Sequence, residues 1–269
     1  MKKFRTIEIS DPRFEQEGLR HVTVKSSALR HRADLLVHVP PQAQGRQNVP
    51  VVILLHGVYG SAWCWALKGG AHRTAQRMID SGALPPMILA MPSDGLFGDG
   101  SGYVAHHGSD YERWIVAEVP AAVMEAAPAV SAESPLFIAG LSMGGMGALR
   151  LGSKYPGRFR GISGHSSLTE FEQLKLFVEE PLSSYSVDPV EGSVFETMKR
   201  HRDSLPPIRF DCGTTDPLLE FNRALRQTLC AEGIPHEYEE FPGGHEWRYW
   251  EENLAVTLRF FGEILSGSR

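Results

Sequence analysis

Short apolar runs, spread along the chain and separated by longer amphipathic stretches, constrain this sequence more than any other feature. VVILL at 51–55, MILAM at 87–91, LFIAGL at 136–141 and PIRFDC at 207–212 read as strands covered on both faces. Strands are also expected at 20–27 and at 33–39 (ADLLVHV). A more exposed one, HEYEEF at 236–241, is expected near a sheet edge. Between them the patterns predict helices over 72–80, 109–127, 143–155, 190–201, 217–231 and 249–265, the last stopped by Gly267. In the 217–231 helix Pro217 is expected at the first helical position, with Leu218, Phe221, Leu225 and Leu229 on one face. Strands alternating with helices of this length imply an α/β fold. The expectation is a mostly parallel central sheet of about eight strands with helices on both faces.

A chain of 269 residues fits one such domain, 1–269. No repeat, low-complexity tract or linker interrupts it. The stretch 166–205 is weakest for sheet structure. Its charges, prolines and the piece LKLFVEEPL suggest either a small insertion over the active-site end of the sheet or a plain surface excursion.

Composition removes several function classes. Hydrophobic residues at 42% and charged residues at 22% exclude a disordered or fibrous chain. With 27 Lys and Arg against 32 Asp and Glu, the net charge of −5 gives no footprint for nucleic acid or an anionic membrane. Cys64, Cys212 and Cys230 are too scattered for a disulfide framework or a zinc site. His106-His107 lacks a third ligand at fitting spacing, so no metal is expected. The start, MKKFRTIEIS, has basic residues but no apolar stretch behind them, which predicts no signal peptide. A soluble chain in the reducing cytoplasm follows as the expectation.

Chemistry enters at Gly140-Leu141-Ser142-Met143-Gly144, the single G-x-S-x-G in the sequence. The pattern is weak alone, but here an apolar strand leads in and the helical MGGMGALRLGSKY leads out. Strand, sharp turn and helix make a nucleophile elbow, which lifts a serine Oγ clear of the sheet. The glycines at 140 and 144 remove Cβ atoms that would collide in so tight a turn. The helix N-terminus aims free N–H groups at developing negative charge. The competing reading, a nucleotide-binding turn, calls for G-x-G-x-x-G or G-x-x-x-x-G-K-[ST], and neither occurs, so no cofactor is expected.

A serine nucleophile needs a base and an orienting acid, and in this fold class the chain order is Ser, acid, His. His245 sits in FPGGHEW, just past a strand, on a loop flexible enough to bring an imidazole to Ser142. His56, His72, His106 and His107 precede the serine. His165, His201 and His236 precede the acid or fall in a strand or helix. Asp216, in CGTTDPLL at the exit of a strand, is the expected acid. Its rival Asp211 lies inside the strand and is expected to be off the site. Met143, after the nucleophile, should offer one oxyanion N–H. The loop His56-Gly57-Val58-Tyr59-Gly60-Ser61 should offer the other. Of the aromatic residues Trp63, Trp65, Tyr103, Trp114 and Trp247, the last is the best candidate for a pocket wall. Tyr59 and Tyr103 are also expected there. The glycine-rich piece at 94–109 follows a strand at the same end of the sheet and is expected to shape the site.

GLSMGGMGALR, CGTTDPLLEFN and PGGHEWRYW together resemble the branch of the α/β-hydrolases known as the putative esterases, over roughly 20–265. That branch contains S-formylglutathione hydrolases (esterase D), feruloyl and acetylxylan esterases, and mycolyl transferases. The resemblance implies Ser142, Asp216 and His245 as a triad and Val58, rather than Tyr59, as the first oxyanion donor. Asn222 matches a family position with no role assigned. The loop HGVYGSAWC lacks the Gly-Leu-Thr-Cys stretch of S-formylglutathione hydrolases, which argues against strict specificity for that thioester. The reading is a serine hydrolase of small esters or thioesters working through an acyl-enzyme. Acyl transfer to another acceptor and a non-catalytic binding protein are the alternatives. The expected partner is a small-molecule substrate, with no nucleic acid and no membrane.

Overall fold

The computed structural model describes residues 4–267. Its strands are β1 (Ile7–Ile9), β2 (Leu19–Lys25), β3 (Arg32–His38), β4 (Val51–Leu55), β5 (Ile88–Pro92), β6 (Ala105–His106), β7 (Ser109–Asp110), β8 (Leu136–Leu141), β9 (Ile162–His165), β10 (Ile208–Gly213) and β11 (Glu237–Phe241). The short β6 and β7 pair with each other. The remaining nine form one sheet in the order β1-β2-β3-β5-β4-β8-β9-β10-β11. From β5 to β11 the neighbours run parallel, while β1, β2 and β3 form an antiparallel flank. The helices are α1 (Cys64–Leu67), α2 (Ala71–Asp80), α3 (Tyr111–Arg113), α4 (Val119–Ala126), α5 (Met143–Lys154), α6 (Val194–Arg200), α7 (Leu219–Ala231) and α8 (Trp247–Ser266).

The central strands are apolar throughout because both faces are covered. Alternate residues of β4 go to opposite cores: Val51, Ile53 and Leu55 join one, Val52 and Leu54 the other. Residues of α4, α5, α6 and α7 complete the first core, and residues of α2 and α8 the second. That two-sided burial is the period-2 geometry of a strand.

Four departures from the expected elements have local causes. Among the described residues the sheet has nine strands rather than about eight, because β1 and β9 carry no apolar run. β9 is the sequence ISGH, fully buried between β8 and β10. Gly164 suits it there, since a Cβ would meet the Ser167 hydroxyl at 2.4 Å and Leu149 at 2.9 Å. The predicted 109–127 helix is broken by a π turn over Trp114–Glu118. Pro120 has no N–H to give to Val116, and the Val116 carbonyl instead accepts from Arg158 Nε at 3.0 Å. α7 starts at Leu219, so Pro217 lies in the turn before it. Phe221 is 39% exposed and does not share the buried face of Leu225 and Leu229. Residues 166–205 form three 3₁₀ turns (Phe171–Leu176, Leu182–Ser184 and Arg202–Ser204) and α6.

Candidate active site

The C-terminal ends of the parallel strands bring the predicted residues together. β8 runs straight into Ser142, which holds φ 55° and ψ −120° before α5 begins. A non-glycine residue in that region costs about 1–3 kcal/mol and persists only where its surroundings fix it. Here the Ser142 N–H donates to the His165 carbonyl at 2.9 Å, and the Ser142 carbonyl accepts from Leu168 N–H and Met146 N–H. The glycines make room. A Cβ on Gly140 would sit 2.1 Å from the Gly144 carbonyl oxygen. One on Gly144 would sit 2.4 Å from that of Leu55 and 2.5 Å from that of His56.

The Ser142 hydroxyl lies 3.0 Å from His245 Nε2. His245 Nδ1 donates to Asp216 Oδ2 at 2.9 Å, which leaves Nε2 as the acceptor for the serine proton. Asp216 is buried and its Oδ1 also takes the Leu218 N–H at 2.8 Å, so its turn is fixed by the carboxylate itself. The loops carrying acid and base are tied to each other. Thr215 N–H and Oγ1 both donate to the Gly243 carbonyl at 2.9 Å. Phe177 stacks on the His245 ring at 5.4 Å, and Trp250 meets it edge-on at 5.0 Å. Asn222 Nδ2 donates to the carbonyls of Ser167 and Leu218, pinning the start of α7 to the segment after β9.

Above the serine lies the loop after β4. Tyr59 N–H donates to the Asp99 carbonyl at 2.7 Å and is unavailable to a ligand. Among the described residues' hydrogen bonds, none uses the N–H of Val58 or of Met143. Their side chains converge on Gly100, where a Cβ would meet Met143 Sδ at 2.5 Å and Val58 Cγ1 at 3.2 Å. The loop is braced from behind. His56 Nε2 accepts the Asp94 N–H at 3.0 Å, so its Nδ1–H donates to the Gly57 carbonyl. Tyr103 O–H donates to the His56 carbonyl at 3.0 Å. Residues 94–103 therefore shape the site as its rear support.

A cleft of about 420 Å³ opens over Ser142 and His245, walled by Trp63, Cys64, Lys68, Phe177, Trp247 and Trp250. Tyr59 and Trp247 line it. Tyr103 does not: it is fully buried, its hydroxyl committed to His56. Trp65 and Trp114 are buried too, their indole N–H groups given to the carbonyls of Leu55 and Ser93. Trp250 and Phe177 were not singled out by the sequence. Trp250 follows Trp247 by three on α8, a spacing that shares a helix face. Phe177 carries no local signal. A larger hollow of about 600 Å³ lies beside Glu17, His72 and Arg77, lined by none of the predicted residues. Asp211 is buried beside His165 and Arg209, away from Ser142.

Comparisons with known proteins identify its relatives. The family described as Putative esterase matches residues 26–261. An acetyl esterase of Caldicellulosiruptor saccharolyticus is 27% identical over 237 residues, covering 81% of this chain and 85% of that protein. A ferulic acid esterase structure superposes with a TM-score of 0.77 at 24% identity, covering 97% of this chain and all of that one. An S-formylglutathione hydrolase of Staphylococcus aureus gives 0.75 at 18% identity, with 94% and 98% covered.

Proposed function

Because the chain belongs to the Putative esterase family, a group of carboxylic ester hydrolases of α/β-hydrolase fold, we propose that it cleaves small esters or thioesters through a covalent Ser142 acyl-enzyme. His245 Nε2 takes the Ser142 proton as Oγ attacks the acyl carbon, and the carbonyl pair moves onto oxygen. The N–H groups of Val58 and Met143 donate to that oxyanion. Asp216 holds the imidazole in the tautomer that accepts at Nε2 and stabilises the imidazolium. Collapse breaks the bond to the alcohol or thiol, which leaves with the proton from His245. Water, deprotonated by the same nitrogen, then attacks the acyl-enzyme and frees the acid and Ser142.

The observation that carries this reading is the unbroken relay from Ser142 Oγ through His245 to Asp216, at 3.0 and 2.9 Å. The modest cleft and the acetyl esterase relative support small acyl groups. Phe177 against His245 supports taking 166–205 as a cover over the site. The proposed setting is the cytoplasm. The test is kcat/KM for p-nitrophenyl esters of increasing acyl length, run beside S-formylglutathione. We expect acetyl to exceed decanoyl; the reverse order rejects the small-acyl assignment. No turnover of any ester, with no fluorophosphonate labelling of Ser142, rejects the mechanism.

A further inference from the structure

Behind the catalytic residues lies a second His–Asp pair, fully buried. His165 Nδ1 donates to Asp211 Oδ2 at 2.9 Å, and Asp211 also accepts from Arg209 Nη1 and, at 2.7 Å, from the Tyr249 hydroxyl. Burial alone would raise the Asp211 carboxyl, but His165, Arg209 and Tyr249 together hold it down at about 2. It is therefore a carboxylate at neutral pH. On its far side His165 Nε2 lies 3.0 Å from Thr257 Oγ1 of α8, which in turn lies 2.8 Å from Ser163 Oγ.

Two arms lead from this carboxylate to the reacting atoms. Along the first, the imidazole it holds belongs to the residue whose carbonyl accepts the Ser142 N–H at 2.9 Å. Its own carbonyl takes the next N–H, that of Ser166, at 2.8 Å. Along the second arm, Tyr249 lies in the first turn of α8, and its ring packs under the His245 loop. A Cβ on Gly243, at φ 134°, would sit 2.8 Å from the ring. The same turn of α8 supplies Trp247 and Trp250 to the cleft.

Stability alone accounts poorly for such a cluster, because buried ionic groups are often no more stabilising than apolar residues of similar volume. We propose that Asp211 is a positioning residue, its carboxylate setting the Ser142 elbow and the His245 loop in register through His165 and Tyr249. The proposal rests on the serine-esterase reading.

Tyr249→Phe tests it, since the ring stays against Gly243 and only the O–H to Asp211 is lost. A misplacement of about 1 Å can cost about 100-fold in rate, and loss of one arm should give a fraction of that. We expect kcat to fall about tenfold with KM within about twofold of the parent. The rate of fluorophosphonate labelling at Ser142 should fall by the same factor. Ser163→Ala is the comparison: it removes a hydroxyl from the same buried network but from neither arm, and kcat should hold while Tm falls. Asp211→Ala, which removes the acceptor of both arms, should lose about 100-fold; if it does not fold, Tyr249→Phe decides. The proposal is overturned if Tyr249→Phe keeps kcat and labelling within twofold of the parent, or if Ser163→Ala loses as much as Tyr249→Phe. A parent that neither turns over esters nor labels overturns the esterase reading instead.

Discussion

Gly144→Ala should damage catalysis although helix propensity favours it. Gly144 sits in the first turn of α5, where Ala is preferred over Gly by about 1 kcal/mol. Its φ is not in the left-handed region, so backbone strain does not oppose the change. Space does. The new Cβ would lie 2.4 Å from the Leu55 carbonyl oxygen and 2.5 Å from that of His56. Both are backbone atoms with no rotamer to turn away. Leu55 ends β4, which is hydrogen-bonded to β5 and β8 and fully buried, so the elbow must give. Restoring ordinary contact needs a shift of about 0.6–1 Å, and overpacking of this kind costs about 1–3 kcal/mol, which exceeds the propensity gain. The shift separates Met143, on the elbow side, from Val58, two residues beyond His56. Loss of one oxyanion donor costs about 10²–10³ in kcat, so a reduction of about 100-fold in kcat/KM for an acetyl ester is expected. Tm should fall by a few degrees, at about 2–4 °C per kcal/mol for a chain of this size. Gly157→Ala, where a Cβ meets nothing within 4 Å, is the control and should change neither. If Gly144→Ala keeps more than half of the parent kcat/KM, the steric argument is wrong.

Ser142→Ala should fold normally and lose turnover by about 10⁴–10⁶; a clean preparation retaining a few per cent of the parent rate contradicts its role as nucleophile. Asp216→Asn should lower kcat by about 10⁴, because the amide can donate to His245 and fix the wrong tautomer, and steady-state kinetics with the p-nitrophenyl acetate series checks it. His38 gives a pH prediction. Burial, with His72 beside it, holds its imidazole down at about 4, so it stays neutral in the folded chain while the unfolded chain takes up a proton from about 6.5 downward. Its effect is absent above 6.5, and stability should fall by about 3 kcal/mol as pH drops from 6.5 to 4. His38→Leu should flatten that limb of the Tm–pH curve by about 6–12 °C, at about 2–4 °C per kcal/mol; parallel curves for the two proteins refute it.

Chain order, turn chemistry and strand period are local properties, and they were legible in the sequence. VVILL, LFIAGL and the strand now running from Ile208 to Gly213 lie where their apolar runs place them, with α5 leading out of the elbow and α8 ending at Gly267. The order Ser142, Asp216, His245 could be read because each follows a strand, in the chain order this fold class uses, and the exits of parallel strands share one end of the sheet. What the sequence left undecided depends on contacts between distant residues. β9 is a strand because β8 and β10 hydrogen-bond to ISGH on both sides, not because ISGH prefers that state. Tyr103 went to the rear of the oxyanion loop and Trp247 to the cleft although both are aromatic and both follow a strand, since only the packing decides which face a ring meets. Phe177, in a stretch with no regular pattern, reached His245 only because residues 171–185 fold back over the ends of the strands. Asp211 could not be told from Asp216 by residue type. Five residues along one chain put the first beneath the sheet's end among His165, Arg209 and Tyr249, and the second above it against His245. A strand fixes the direction of each side chain only relative to its neighbours, and the tertiary structure alone supplies what those neighbours are.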